Sequence, residues 1–478
     1  MDGFDINKMP HINFVYDYRT PDGFLPFGYT KHTFGNVIKL KLSNIGNDHT
    51  GYYFDLHTPN IFTLQRASFF STHIVERTPR TQYELTTEVR HNIKSNQLYL
   101  VVLESLNVNN LFEYYGADEF ELDDFFSPAL LELIKTYENF KIVFMDSREG
   151  SYPHDIKFLD KINNFLNKHN INHTNKVHIS TNNNFIKKLE KNIQFKQFKH
   201  RIVVYPNNYC LLTSGRFIAE LKSKKSFVEN EYEYSIQDSI HYNDREKYFL
   251  MYNRNPSRVH RAYFVNELYK NNLLDEGLVS FFENNDLEQF LNQENKDYSE
   301  LNLEISDIDS IRSNYINFTP MYIDNPNSDE VADYHNFLSR KDEYEKTYFT
   351  IVSETNAEPD YCFITEKTTK PMMNLHPFVI LGNPHTLKVL KSYGLQTFDK
   401  WWDESYDDEF DFKKRSEMVL NIVKDLCSKS KEEWNDMLKE MRTILEFNKQ
   451  HLHRLTYKKA YEKEFFKNLL PTQSKIII

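Results

Sequence analysis

Apolar residues along this 478-residue chain fall into short runs separated by segments with helical spacing, the alternation that builds a parallel sheet. Residues 97–103 (QLYLVVL) are one such run, ended by Glu104, and predict a strong strand. A helix is expected over 130–137 and a strand over 141–145 (KIVFM), ended by Asp146. The spacing of Phe158, Leu159, Ile162, Phe165 and Leu166 predicts a helix over 156–169. Strands follow at 177–180 and 201–205. Ahead of all these, residues 1–90 mix Tyr, Phe, Thr and His with turn residues and predict short β elements.

The second half repeats the alternation. Residues 247–252 (KYFLMY) read as a strand, 253–256 (NRNP) as a turn, and 258–274 as a helix on which Phe264, Leu268, Val265 and Tyr269 keep i, i+4 spacing. Residues 283–314 are polar with few periodic signals and read as an excursion between sheet elements. Residues 348–352 alternate β-formers up to Ser353-Glu354, and 377–381 form an apolar strand closed by Gly382. A short helix is expected over 385–393 with Gly394 past its end. Residues 397–411 (TFDKWWDESYDDEFD) read as an acidic, aromatic loop, either solvated or rimming an acceptor. Helices are expected over 417–427 and from 431 onward, the latter burying Trp434, Leu438, Met441 and Leu445 before turning basic and aromatic at Tyr457, Tyr461, Phe465 and Phe466.

Composition narrows the class. The length suffices for two or three domains, and 38 Phe and 31 Tyr against 12 Gly favour packed cores over disorder. A net charge of −11 offers no field to gather nucleic acid; the nearest basic run is 187–201. Cys210, Cys362 and Cys427 lack metal-ligand spacing, so neither a zinc site nor a disulfide framework is expected. No apolar run approaches ~18 residues and the polar start MDGFDINKMP has no signal-type core, so neither a membrane span nor secretion is expected and the location is read as cytoplasmic. Asp307-Ile308-Asp309 is a formal Asp-x-Asp, a pattern that can carry a divalent ion on a diphosphate. It follows no apolar strand and is read as a solvated pair, so no metal is called for.

Two βα junctions hold candidate chemistry. Thr365, Glu366 and Lys367 fall at the start of the helix between the 348–352 and 377–381 strands, where free backbone N–H groups and a positive dipole end favour a phosphate. Lys367 adds a charge, and Glu366 can accept from ribose hydroxyls. The competing reading is a plain helix cap with a solvated first turn. At the other junction Arg254, Arg258 and Arg261 surround a helix start and suit a diphosphate, since each guanidinium can fork onto two oxygens. The competing reading there is a surface helix with scattered arginines.

The order SETNAEPDYCFITEK followed by PFVILG resembles the donor-site segment of α-1,3-fucosyltransferases, and is similar to glycosyltransferases of large phages and viruses. In that family a Glu-Asn-Ser element precedes Tyr-Val-Thr-Glu-Lys; here Glu354-Thr355-Asn356 stands in the first position. The resemblance implies that Glu354, Thr365, Glu366 and Lys367 belong to a nucleotide-sugar donor site, that Arg258 or Arg261 contacts the donor phosphates, and that a guanosine-linked donor is favoured.

The resulting expectation is an α/β protein of the GT-B type, two Rossmann-like domains facing a cleft, with a β-rich leader. Residues 1–240 would form the acceptor-side domain, 241–445 the nucleotide-sugar domain, and 446–478 a helix returning to the first. The expected activity is inverting transfer of a sugar, with fucose a candidate, to a glycan hydroxyl, with no obligatory cofactor or metal, in a bacterium or an infected host cell. Glu104 is the first candidate for the base and Asp146 with Glu149 the second, because these carboxylates follow strands of the first domain. Two other readings are a phage-type DNA-base glycosyltransferase and a non-catalytic scaffold on the same fold.

Overall fold

The computed structural model describes residues 11–16, 18–20, 23–25, 81–85, 91–104, 122–146, 156–181, 196, 200–206, 211, 240, 242–253, 258–281, 301–323, 341–359 and 362–455, and all that follows concerns these. The chain divides into two compact units, Met1–Asn207 with Lys458–Ile478 and Asn208–Tyr457. Each has its own parallel sheet and core.

In the first unit β1 (His11–Tyr16), β4 (Thr81–Leu85), β5 (Gln97–Glu104), β6 (Phe140–Asp146), β7 (Val177–Thr181) and β8 (Ile202–Pro206) form a sheet in the order β4-β1-β5-β6-β7-β8. All five pairings are parallel. A small antiparallel pair, β2 (Tyr18–Thr20) and β3 (Gly23–Leu25), stands apart from it. The β-rich leader is thus partly built into the sheet, since β1 lies between β4 and β5. Helices α1 (Pro128–Thr136) and α2 (Ile156–Lys168) supply Leu130, Ile134, Leu159, Ile162, Phe165 and Leu166 to the core. Ser127 caps α1 by accepting from Leu130 N at 3.1 Å, with Pro128 at the first helical position.

The second unit contains β9 (Lys247–Asn253), α3 (Val259–Lys270), β10 (Gly277–Phe281), α4 (Ile305–Phe318), α5 (Lys341–Glu345) and β11 (Thr347–Ser353). After these come α6 (Glu366–Met373), β12 (Phe378–Leu381), α7 (Thr386–Ser392), α8 (Phe412–Ser428) and α9 (Lys431–Arg454). Its sheet runs β10-β9-β11-β12, again all parallel. Every residue of β11 and β12 is buried, as an apolar run in a parallel sheet requires. The fold class is therefore α/β with two parallel-sheet units.

Four expectations need correction. Helix α3 ends at Lys270 rather than 274, because Asn272 turns left-handed (φ 55°) and Leu273 N bonds back to Leu268 O at 2.9 Å. It is also no surface helix: residues 259–266 and Leu268 are buried. The polar 283–314 stretch, of which 283–300 lie outside the described residues, holds the start of α4, whose Ile308, Ile311, Tyr315 and Phe318 pack inward; its weak apolar pattern hid a helix held by a capping box between Glu304 and Asp307. The acidic loop at 397–411 is only partly solvated. Phe398, Trp402 and Tyr406 enter the core, Asp407 accepts from the α7 backbone at Leu387 (2.9 Å) and Lys388 (3.1 Å), and Glu404 accepts from Phe398 N at 2.6 Å. Helix α9 buries Trp434, Leu438, Met441 and Leu445 as expected and continues unbroken past 446, with Leu452 also buried. Residues 456–478 lie outside the described residues. Gly394 takes φ 81° just past α7, where the sequence placed it.

Candidate functional site

In the second sheet the chain leaves β9 for β10 on one side and returns to β11 on the other, so the strand order reverses between β9 and β11. Open parallel sheets bind ligands outside the carboxyl ends of the strands at such a reversal. Two helices begin here, α3 following β9 and α6 following β11, and each starts at one of the sequence candidates.

The two starts are joined by Glu354, the residue after β11, which is fully buried. One carboxylate oxygen accepts from Thr365 N at 3.1 Å and from the Thr368 hydroxyl, the other from the Thr365 hydroxyl at 2.6 Å and Thr355 N at 3.2 Å. Thr365 is the extended N-cap of α6 (φ −109°, ψ −178°) and its hydroxyl in turn accepts from Lys367 N at 3.2 Å. The α6 start is therefore capped from within: Glu354 and Thr365 take backbone donors expected to receive a phosphate. Burial pushes the Glu354 carboxyl above its ordinary range, against the pull of Lys367 and the Thr365 and Thr368 donors.

The carbonyl of Glu354 serves the other helix. It accepts from Arg261 Nη2 at 3.0 Å, Arg261 Nε at 3.3 Å and His260 Nε2 at 3.0 Å. Burial, with Arg261 beside it, lowers the His260 pKa to about 3, so the ring is neutral and Nε2 carries its proton. Arg261 is 4% exposed and committed to this carbonyl, whereas Arg258, the N-cap of α3, is exposed. Arg254 lies outside the described residues.

Lys367 keeps a partly open side chain. Its Nζ lies 3.0 Å from Glu366 Oε1 and 3.3 Å from the Thr355 hydroxyl. Burial acts to raise the Glu366 carboxyl, but Lys367 and Lys370 outweigh it and hold the group below its ordinary range, so Glu366 is an ionised acceptor at neutral pH. The structure thus brings Arg258, Arg261, Glu354, Thr365, Glu366 and Lys367 to the carboxyl edge of one sheet.

Sequence reasoning missed three contributors. Asn253 and Ser353 end β9 and β11, and the register pairing Thr350 with Leu250 brings them level. Both are buried, and among the described residues the Asn253 amide atoms and Ser353 hydroxyl have no hydrogen-bond partner, an uncommon cost at a buried site. Polar residues closing an apolar strand were the available signal. Arg415, 1% exposed in α8, donates to the carbonyls of Gly382 (2.9 Å), Glu409 (2.6 Å) and Ala357. Nothing in its local sequence marks it.

In the first unit Glu104 ends β5 opposite Met145, and Asp146 ends β6 opposite Thr181. The two carboxylate-bearing positions thus close neighbouring strands at their carboxyl ends. Glu149 lies outside the described residues. Asp307 and Asp309 sit on α4, where Asp307 accepts from Glu304 N (2.9 Å) and pairs with Lys413 (2.8 Å), while Asp309 pairs with Arg312 (3.0 Å). The Asp-x-Asp is a helix cap and a surface pair. In the basic run, Arg201 is buried and donates to Asn167 at 2.9 Å and to Asn163, a structural role. No helix among the described residues is long and apolar enough to cross a membrane.

No family model and no curated protein matches the chain. Among solved structures it is similar to an α,α-trehalose-phosphate synthase (UDP-forming) from Burkholderia vietnamiensis, at 9% identity and TM-score 0.34, over 92% of this chain and 82% of that one. A second similar structure is the α,α-trehalose 6-phosphate synthase of Burkholderia multivorans, at 9% identity and TM-score 0.36, over 96% and 98% of the two chains.

Proposed function

We propose that this chain is a GT-B-type glycosyltransferase that moves a sugar from a nucleoside-diphosphate donor to a glycan hydroxyl. The observation that carries the reading is the meeting of two helix starts, with Arg258 and Arg261 on one and Glu366 and Lys367 on the other, at the strand-order reversal of the second sheet. Cationic groups gathered there stabilise a diphosphate leaving group, the largest electrostatic demand of such a transfer. Arg258 and Lys367 contact the phosphates, Glu366 accepts from the ribose, and Arg261 orients the edge through the Glu354 carbonyl. The motif resemblance favours a guanosine-linked donor, with GDP-fucose the first candidate.

The reaction is a single inverting displacement. The acceptor oxygen attacks the anomeric carbon as the bond to the diphosphate breaks, and a carboxylate takes the acceptor proton. Glu104 is the proposed base, with Asp146 and Glu149 as alternates.

A thermal-shift screen tests this. A guanosine diphosphate at a hundredfold excess over its dissociation constant should stabilise the native state by roughly 2.7 kcal/mol, and EDTA should leave turnover intact. Stabilisation by duplex DNA with no response to any nucleotide would overturn the reading.

A further inference from the structure

Glu354 touches both helix starts, and through different atoms. Its carboxylate binds α6 at Thr365 and Thr368, while its carbonyl binds α3 at His260 and Arg261. Its own N–H donates to Leu381 O at 2.9 Å, which ties the same residue to the end of β12. One buried residue therefore sets the separations among α3, α6 and the sheet.

We propose that Glu354 is a positioning residue, which contacts no substrate but, by holding the starts of α3 and α6, fixes the spacing of the Arg258 and Lys367 charges that recognition of a diphosphate requires. This rests on the donor-site reading above. The carboxylate faces four donors, two on each oxygen and three of them at the α6 start, so it can accept from a ribose only by giving up one of them. A diphosphate makes a stricter demand than a nucleoside: two charged groups at fixed separation must meet cations on two different helices, and charge-assisted hydrogen bonds weaken steeply when misaligned. Loss of the tie should be felt in proportion to the phosphates bound.

The test titrates wild type, Glu354→Gln and Thr368→Val with guanosine, its monophosphate and its diphosphate, and with the uridine series, by calorimetry, with melting temperature recorded alongside. Glutamine places an NH2 against two of the four donors and breaks half the tie. The expected result is at least an about tenfold loss of diphosphate affinity with nucleoside affinity within about twofold, the monophosphate falling between. Thr368→Val keeps the side-chain shape, removes one donor, and should give the same graded pattern at smaller size. Equal losses for nucleoside and diphosphate mark a merely structural role and overturn the inference, as does unchanged diphosphate affinity in both variants. Should Glu354→Gln fail to fold, the nucleoside-to-diphosphate ratio in Thr368→Val decides alone. Failure of wild type to bind any of these ligands would remove the donor-site reading, and this inference with it.

Discussion

Arg415 Nε lies 2.9 Å from the carbonyl oxygen of Gly382, joining α8 to the end of β12. The same guanidinium serves the carbonyls of Glu409 and Ala357 and lies 5.7 Å from the Phe412 ring centroid. Burial pulls its pKa to about 10, so it stays charged at neutral pH. Arg415→Met strands three carbonyls together and should cost about 3 to 5 kcal/mol. Denaturant midpoints should show this with an unchanged slope. Arg415→Lys should rescue little, because a single ammonium cannot reproduce the planar fork.

Gly382 is packed against Glu354. A Cβ added there would stand 3.0 Å from Glu354 Cβ and 3.2 Å from its Cγ. Glu354 is held by hydrogen bonds at both carboxylate oxygens and its carbonyl, so it has little freedom to yield. Gly382→Ala should cost about 1 to 3 kcal/mol as an overpacking change. Diphosphate affinity should fall with it, measured by calorimetry on protein shown to be folded.

Lys367→Ala and Arg258→Ala should each weaken diphosphate binding by roughly 10- to 150-fold, the worth of a charged hydrogen bond. Both side chains have solvent access, so the fold should survive. Glu366→Ala should behave differently, weakening nucleoside and nucleotide alike. A flat response in all three variants would take the Thr-Glu-Lys segment out of the donor site.

Acid sensitivity should come from buried rings. Burial lowers His178, His260 and His376 to about 3, from 6.5 when exposed. Because the folded pKa values are depressed, the unfolded chain binds more protons between pH 6.5 and 3. The contribution of these rings is then fully present above pH 6.5 and lost as pH falls, at up to about 1.4 kcal/mol per pH unit for each ring. Lys176 extends the trend upward: burial, with Lys141 beside it, lowers it to about 6 from 10.5. The first unit should therefore gain stability as pH rises from 6 towards 10.5, and Lys176→Met should flatten that rise. Melting temperatures across pH 4 to 9 measure both effects.

Much of the architecture was legible because burial in a parallel sheet demands continuous apolar runs. QLYLVVL, KIVFM and KYFLMY could satisfy that demand in few other ways, and all became strands. Helix α4 was not legible, because its stability comes from the Glu304–Asp307 cap and four inward residues rather than a strong apolar stripe. The burial of Asp407 was equally hidden: a carboxylate in an acidic run looks solvated until a neighbouring helix offers its backbone donors.

The sequence by itself placed Arg258, Arg261, Thr365, Glu366 and Lys367 at two helix starts, since turn residues between a strand and a helix determine where free N–H groups and cations gather. Which of them face outward was decided only by the tertiary structure. The pairing of β9 with β11 brings the two starts within reach of one residue, and Glu354 then spends its carboxylate on α6 and its carbonyl on α3. That choice turns Arg261 inward and leaves Arg258 exposed, and it depends on contacts spanning 93 positions of sequence separation, which no local pattern encodes.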